Sequence, residues 1–170
     1  MKSFVCPQCG KRHAGLPTDF GFQEPDEVFS LSYIPKYLKV RKNADFCTLD
    51  ESRFFLRGCL QLPFTDRQGE FSWGVWVEVS HDHHDVYASQ VLNNNFKQYR
   101  LDGRIANTIP AYRSTLNVPL HVLLEDGGKC PTLWLPPRSR HTLAREQQQG
   151  ISARRQHELL EACGFFEKKA

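Results

Sequence analysis

Phe54-Phe55-Leu56-Arg57-Gly58-Cys59-Leu60-Gln61-Leu62 and, after the loop Thr65-Asp66-Arg67-Gln68-Gly69-Glu70, Phe71-Ser72-Trp73-Gly74-Val75-Trp76-Val77-Glu78-Val79 together decide the fold class. Successive side chains of an extended chain leave opposite faces, so apolar residues at every second position mark a strand with one buried side. Phe54, Leu56, Leu60 and Leu62 share one face of the first segment. Phe71, Trp73, Val75, Val77 and Val79 share one face of the second, and both sets are expected in the core. The opposite faces bring Arg57, Cys59 and Gln61 against Ser72, Gly74, Trp76 and Glu78. Gly58 and Gly74 leave room for a backbone or a ligand to approach, which makes Arg57, Trp76 and Glu78 the candidate binding face. The structural reading of the same residues is a cross-strand cluster in which Arg57 pairs with Glu78 beside Trp76.

Outward from this pair, residues 46–49 read as a preceding strand joined through the polar turn Asp50-Glu51-Ser52-Arg53. Residues 120–125 and 132–135 read as two more strands around Asp126-Gly127-Gly128-Lys129, and Pro136-Pro137 stops the sheet. Residues 101–117 look irregular and are expected to wrap the sheet edge. A short helix is expected from Asp26 to about Leu31, capped by Asp26 and cut off by Pro35. Ser80 caps a further helix running to Leu92. Residues 139–149 form a polar helix ended by Gly150, and residues 152–163 a last helix capped by Ser152 and ended by Gly164. The expected architecture is a single α+β domain over residues 1–170. It has a twisted antiparallel sheet of about five strands, helices mostly on one face, and an N-terminal zinc-knuckle hairpin at 3–16.

The knuckle is read from Phe4-Val5-Cys6-Pro7-Gln8-Cys9-Gly10. A Cys-x-x-Cys turn aims two sulfurs at one point, and the following Gly accepts the left-handed backbone that closes it. His13 offers a third ligand and Cys47 is the preferred fourth, with Cys59, Cys130 and Cys163 as further candidates. The redox alternative lacks its context: five residues precede Cys6, and Gly10-Lys11-Arg12-His13-Ala14-Gly15-Leu16-Pro17 cannot sustain the helix that lowers a thiol pKa. A metal-free turn is the remaining reading. Cys47 alone in a strand also reads as a small buried apolar residue.

At 170 residues the chain suits one domain with a real core. It contains neither a membrane-length apolar run nor a secretory leader, which places the expected protein in the cytoplasm. Six scattered cysteines then point to reduced thiols or metal binding. A net charge of +3 is too small to imply nucleic-acid binding, and the four cations within residues 36–42 are broken up by Tyr37, Leu38 and Val40. His81-Asp82-His83-His84-Asp85 offers metal-ligand side chains, but neighbours on a helix start point in different directions. Phosphate-binding Gly-rich loops, nucleophile elbows and His-Glu-x-x-His helices are absent.

The chain resembles a bacterial domain-of-unknown-function family, number twenty-one ninety-nine, over nearly its whole length. The resemblance rests on Cys6-x-x-Cys9-Gly10-x-x-His13-x-Gly15-Leu16-Pro17, on Phe20-Gly21-Phe22 with Pro25, and on Asp45-x-Cys47. It continues through Phe54-Phe55-x-Arg57-Gly58, Phe71-x-Trp73-Gly74-Val75-Trp76-Val77, and His141-x-Leu143 with Gln148 and Gly150-Ile151-Ser152. It implies a small bacterial intracellular protein and groups Cys6, Cys9, His13 and Cys47 as a related set. It brings no activity or catalytic residue to carry over. It also marks His141, although a histidine at a helix start is more often a hydrogen-bonded structural residue.

The expected function is non-catalytic binding of a protein or small ligand by the Arg57, Trp76 and Glu78 face, with structural zinc as the cofactor. One alternative is an enzyme whose polar pocket gathers Arg57, Glu78 and His141. The other is a nucleic-acid-binding zinc module using Lys11, Arg12 and residues 36–42.

Overall fold

A computed structural model describes residues 4, 5, 10, 12, 13 and 15–166, with the backbone alone at 4, 5 and 13. Strands β1 (Phe4–Val5) and β2 (Arg12–His13) pair antiparallel as a separate hairpin. The body runs β3 (Asp19–Gly21), α1 (Asp26–Phe29), α2 (Tyr33–Lys39), β4 (Val40–Lys42), β5 (Phe46–Leu49), β6 (Arg53–Pro63) and β7 (Glu70–Val79). It continues with α3 (His81–Leu92), β8 (Tyr99–Ile105), β9 (Pro119–Leu124), β10 (Thr132–Trp134), α4 (Thr142–Gln149) and α5 (Ala153–Ala162).

The alternating pair forms the central hairpin as its pattern requires. β6 and β7 pair over their full length with Leu56 opposite Val77 and Leu60 opposite Trp73, and all four side chains are buried. β5 joins β6 through the expected turn, where Asp50 and Glu51 both take positive φ. The backbone there resembles a mirror-image hairpin turn built without glycine.

The expected open antiparallel sheet is corrected. β6, β7, β8, β9 and β10 follow one another around a ring, and β10 returns to β6, so five strands close into a barrel. The closing contact is parallel, Thr132 opposite Cys59, with the Cys59 N–H donating to Pro131 O at 2.8 Å. A second parallel pairing sets β3 beside β7, while β5 and β4 extend the sheet beyond β6. A closed sheet hides edges that would otherwise template aggregation. Gly58 gives β10 its approach, since a Cβ there would stand 2.5 Å from Leu133 Cδ2 and 3.0 Å from Pro131 O.

The seam carries a covalent staple. Cys59 and Cys130 form a disulfide with Cα atoms 6.2 Å apart, across a sequence separation of 71. The expectation of reduced or metal-bound thiols is therefore corrected for this pair, while Cys47 and Cys163 are free. A bridge closing so long a loop removes on the order of 4 kcal/mol of unfolded-state freedom in the chain-entropy picture.

Two further expectations are corrected. Of residues 101–117, expected to be irregular, 101–105 instead belong to strand β8, which pairs with β7 and β9 inside the barrel. Pro35 does not end the helical region; it lies in the first turn of α2, where a missing N–H breaks no helical bond. Asp26 likewise caps nothing. Pro25 is the N-cap of α1, and the Asp26 carboxylate accepts from Thr108 N–H at 2.7 Å and Asn107 Nδ2 at 3.1 Å.

The helices do not gather on one face. α3 starts on Ser80, whose hydroxyl accepts from His83 N–H, and sends Tyr87 into the main core near Phe46. α4 and α5 add Leu143, Ala144, Leu159 and Leu160 to the same core from the other end of the β6–β7 hairpin, where Phe64 bridges to Ile151. α1 instead covers the outer barrel wall. There Val28 meets Cys47, Leu49, Phe55, Trp76 and Ala106 in a second, smaller core. Among the described residues, no helix is long and apolar enough to cross a membrane.

Candidate functional site

Of the three residues expected on the binding face, the structure leaves one available. Trp76 is 1% exposed, its N–H donates to Asn107 Oδ1 at 2.7 Å, and its indole Nε1–H donates to Phe22 O at 3.0 Å. A fully bonded, buried indole belongs to the second core rather than to an open floor. Glu78 takes a bidentate pair from Arg53, with Nε to Oε1 at 2.7 Å and Nη2 to Oε2 at 2.8 Å. Arg53 also binds Glu27. The hydrogen bonds it donates to Glu78 hold the Arg53 guanidinium above its ordinary pKa. The anticipated Arg57–Glu78 pair is therefore replaced by Arg53–Glu78.

Arg57 is half-buried and lies across two glycines on neighbouring strands. Gly21 of β3 stands opposite Gly74 of β7. A Cβ at Gly21 would come within 2.6 Å of Arg57 Nη2, and one at Gly74 within 3.2 Å. The room foreseen at Gly74 is thus filled by the guanidinium itself. Among the described residues, this side chain has no hydrogen-bond acceptor and no carboxylate partner.

Arg57 walls an open depression of about 460 Å³ with Gly21, Gln23, Lys42, Asn43 and Trp76. Asn43 Oδ1 is committed to the N–H groups of Asp45 (2.8 Å) and Phe46 (2.9 Å), which leaves its NH₂ as the free donor. Lys42 and Lys36 both pair with Glu24. Burial pushes the Glu24 carboxyl up, but the hydrogen bonds and charges of the two lysines outweigh it and hold it below its usual range. Through Gly21 and Gln23 the depression adjoins a pocket of about 560 Å³ walled by Phe20, Phe22, Phe29 and Pro110. A cationic, donor-rich hollow thus abuts an aromatic one.

His141 stands apart from this arrangement. As N-cap of α4 it accepts from Leu143 N–H at Nδ1 (3.1 Å), so Nε2 carries the proton and donates to Arg113 O at 2.7 Å. Both ring nitrogens are occupied by backbone. Glu78, with Arg53 and Glu27, borders a different depression from that of Arg57. The convergence that the enzyme alternative requires is not met.

Cys6, Cys9 and Lys11 lie outside the described residues, as does the His13 side chain. Cys47 is wholly buried in the second core, and burial pushes its thiol up to about 11. This placement also suits a small apolar side chain, the alternative reading of Cys47. Among the described residues, no group of three or more His, Cys, Asp or Glu side chains could hold a metal ion. His84, from the His81 to Asp85 cluster, packs on Phe46 and Phe54. Residues 36–42 are not a free basic stripe, since Lys39 faces Asp50 at 3.4 Å and Lys36 and Lys42 share Glu24.

Sequence reasoning missed Gly21, Gln23 and Asn43 as site residues, and Asn107 as their support. Asn107 is fully buried, and besides Trp76 N–H it engages Glu24 O at 2.8 Å through Nδ2. The one signal available was a glycine between two aromatic residues in Phe20-Gly21-Phe22, a spacing that marks a close approach.

A family model described as an uncharacterized protein conserved in bacteria, DUF2199, matches residues 5–151. The chain belongs to the DUF2199 family. The DUF2199 match takes in the Arg57 depression, the aromatic pocket and all five barrel strands, and ends before α5. No curated protein and no solved structure matches the chain.

Proposed function

We propose that this DUF2199 protein is a non-catalytic binding module that recognises a carboxylate or phosphate attached to an apolar body, with Arg57 as the anion receptor. The observation that carries this reading is a half-buried guanidinium, wedged over Gly21 and Gly74, without an acceptor among the described residues. Hydrogen bonds to charged groups contribute about 1.5–3 kcal/mol each, so an unfilled guanidinium is a strong site for a bidentate anion. Asn43 supplies a second donor, and the aromatic pocket takes the apolar part. The test titrates phenylphosphate and 3-phenylpropionate against the full chain while following the Gly21 and Gly74 amide resonances. Both amides are expected to shift, and Arg57→Ala should weaken binding by roughly 10-fold to 100-fold. Equal binding by Arg57→Ala, or no shift with either probe, sinks the reading.

We also propose structural zinc held by Cys6, Cys9 and His13, with Cys47 as the fourth ligand. Support comes from the β1–β2 hairpin, in which Phe4 faces His13 and Val5 faces Arg12, and from Gly10 at φ 66°, the left-handed closure that the motif calls for. When bound, zinc would tie the hairpin's turn into a fixed shape. Elemental analysis of untagged protein is expected to find about one zinc per chain, lost in Cys6→Ser. Metal-free wild-type protein removes the proposal, and zinc retained in Cys47→Ser removes Cys47 from the ligand set.

A further inference from the structure

Helix α2 is amphipathic the wrong way round. A helix on a globular protein normally turns its apolar stripe to the core and its charges to water. Here Tyr33, Ile34, Tyr37 and Leu38 occupy one face and point outward, and α2 has no buried residue. With Phe29 of α1 these side chains are between 63% (Leu38) and 82% (Tyr33) exposed. Lys36 turns inward instead to the largely buried carboxylate of Glu24, while Lys39 pairs with Asp50 at the surface, and the apolar face is left pointing out. Tyr33 and Tyr37 stack with ring centroids 6.4 Å apart, which presents a preformed aromatic ridge.

We propose that this face is the interface of a two-fold dimer of the chain, an inference tested at Ile34 and Tyr37, neither of which lines the Arg57 depression or the aromatic pocket. The area is right. At ~150–250 Å² for a whole aromatic side chain, these five exposed residues offer on the order of 700 Å². Each partner of a standard interface contributes about 800 Å². Charge also favours a second copy. The rim carries both signs, Arg41 on β4 and Glu51 at the β5–β6 turn, and neither has an ion-pair partner among the described residues. A two-fold contact can therefore set unlike charges across the interface. An anionic bilayer would need a cluster of free cations beside the apolar face, and three of the four cations in residues 36–42 are engaged by carboxylates, Lys36 and Lys42 by Glu24 and Lys39 by Asp50.

Sedimentation equilibrium of the full chain tests this. Wild-type protein is expected to show an average mass that climbs from 19.6 kDa toward twice that value as concentration rises from about 1 to about 100 µM. Ile34→Glu and Tyr37→Glu should each hold the mass at 19.6 kDa, with melting unchanged at about 1 µM, where the wild type is monomeric and both side chains face water. Three outcomes overturn the proposal: a monomeric wild type at the top concentration, a dimer that survives both substitutions, or a monomer that cosediments with phosphatidylglycerol vesicles.

Discussion

Gly103→Val is expected to destabilise the protein by about 3 kcal/mol, the upper part of the range for overpacking a closed core. Gly103 sits within β8, where the strand presses onto β7 between Val77 and Val79. A Cβ at this position would clash with Val77 Cγ1 and stand 2.8 Å from the Glu78 carbonyl oxygen. A side-chain tip can rotate away, but a backbone carbonyl in a paired strand cannot, so the two strands must separate. Separation at this seam opens the barrel between β7 and β8, one of the five pairings that close it. Urea unfolding of the two proteins measures the effect. A loss below about 1 kcal/mol would mean that β8 is not packed against β7 in this way.

Asn107→Ala is expected to cost about 3 kcal/mol and to loosen the candidate site at the same time. The Asn107 side chain accepts from Trp76 N–H at 2.7 Å and donates to Glu24 O at 2.8 Å and Asp26 Oδ1 at 3.1 Å. Removing it orphans a buried backbone donor and an acceptor, at about 1–3 kcal/mol each. These bonds also help to tie the segment from β3 to α1 onto the outer wall of β7, beside the β3–β7 pairing and the Asp26 N–H bond to Ala106 O. Two readouts check this together: thermal unfolding, and hydrogen exchange at the Trp76 amide, whose protection should fall well before global unfolding. If Trp76 stays as protected as in the wild type, Asn107 is not the anchor.

Much of the barrel was legible because local pattern and tertiary burial agreed. Period-two alternation placed β6 and β7 and named Leu56, Leu60, Phe71, Trp73 and Val77 as core, all of them buried. Cap chemistry located the helix that starts after Ser80, and the stops at Gly150 (φ 85°) and Gly164 (φ 72°) match left-handed glycines. Strand β8 was not legible, because Arg100, Asp102 and Arg104 alternate with Leu101, Gly103 and Ile105, and a glycine in the middle removes one apolar mark from a short stripe. Helix α2 was misread for a related reason. Pro35 is a breaker in a helix interior and harmless in a first turn, and only the position of the turn distinguishes the two.

The candidate site divides along the same line. Arg57 could be picked out from its place beside Gly58 and opposite a glycine-bearing strand, since a charged residue on a strand of known face has a known direction. Its isolation could not be. That depends on Glu78 choosing Arg53, on Lys42 choosing Glu24, and on Trp76 bonding to the Phe22 carbonyl, and each of these contacts joins residues 18 to 54 positions apart. Periodicity is a property of neighbouring residues and survives in the bare chain; the closure of the barrel and the pairing of charges are competitions between distant groups, settled when the chain packs.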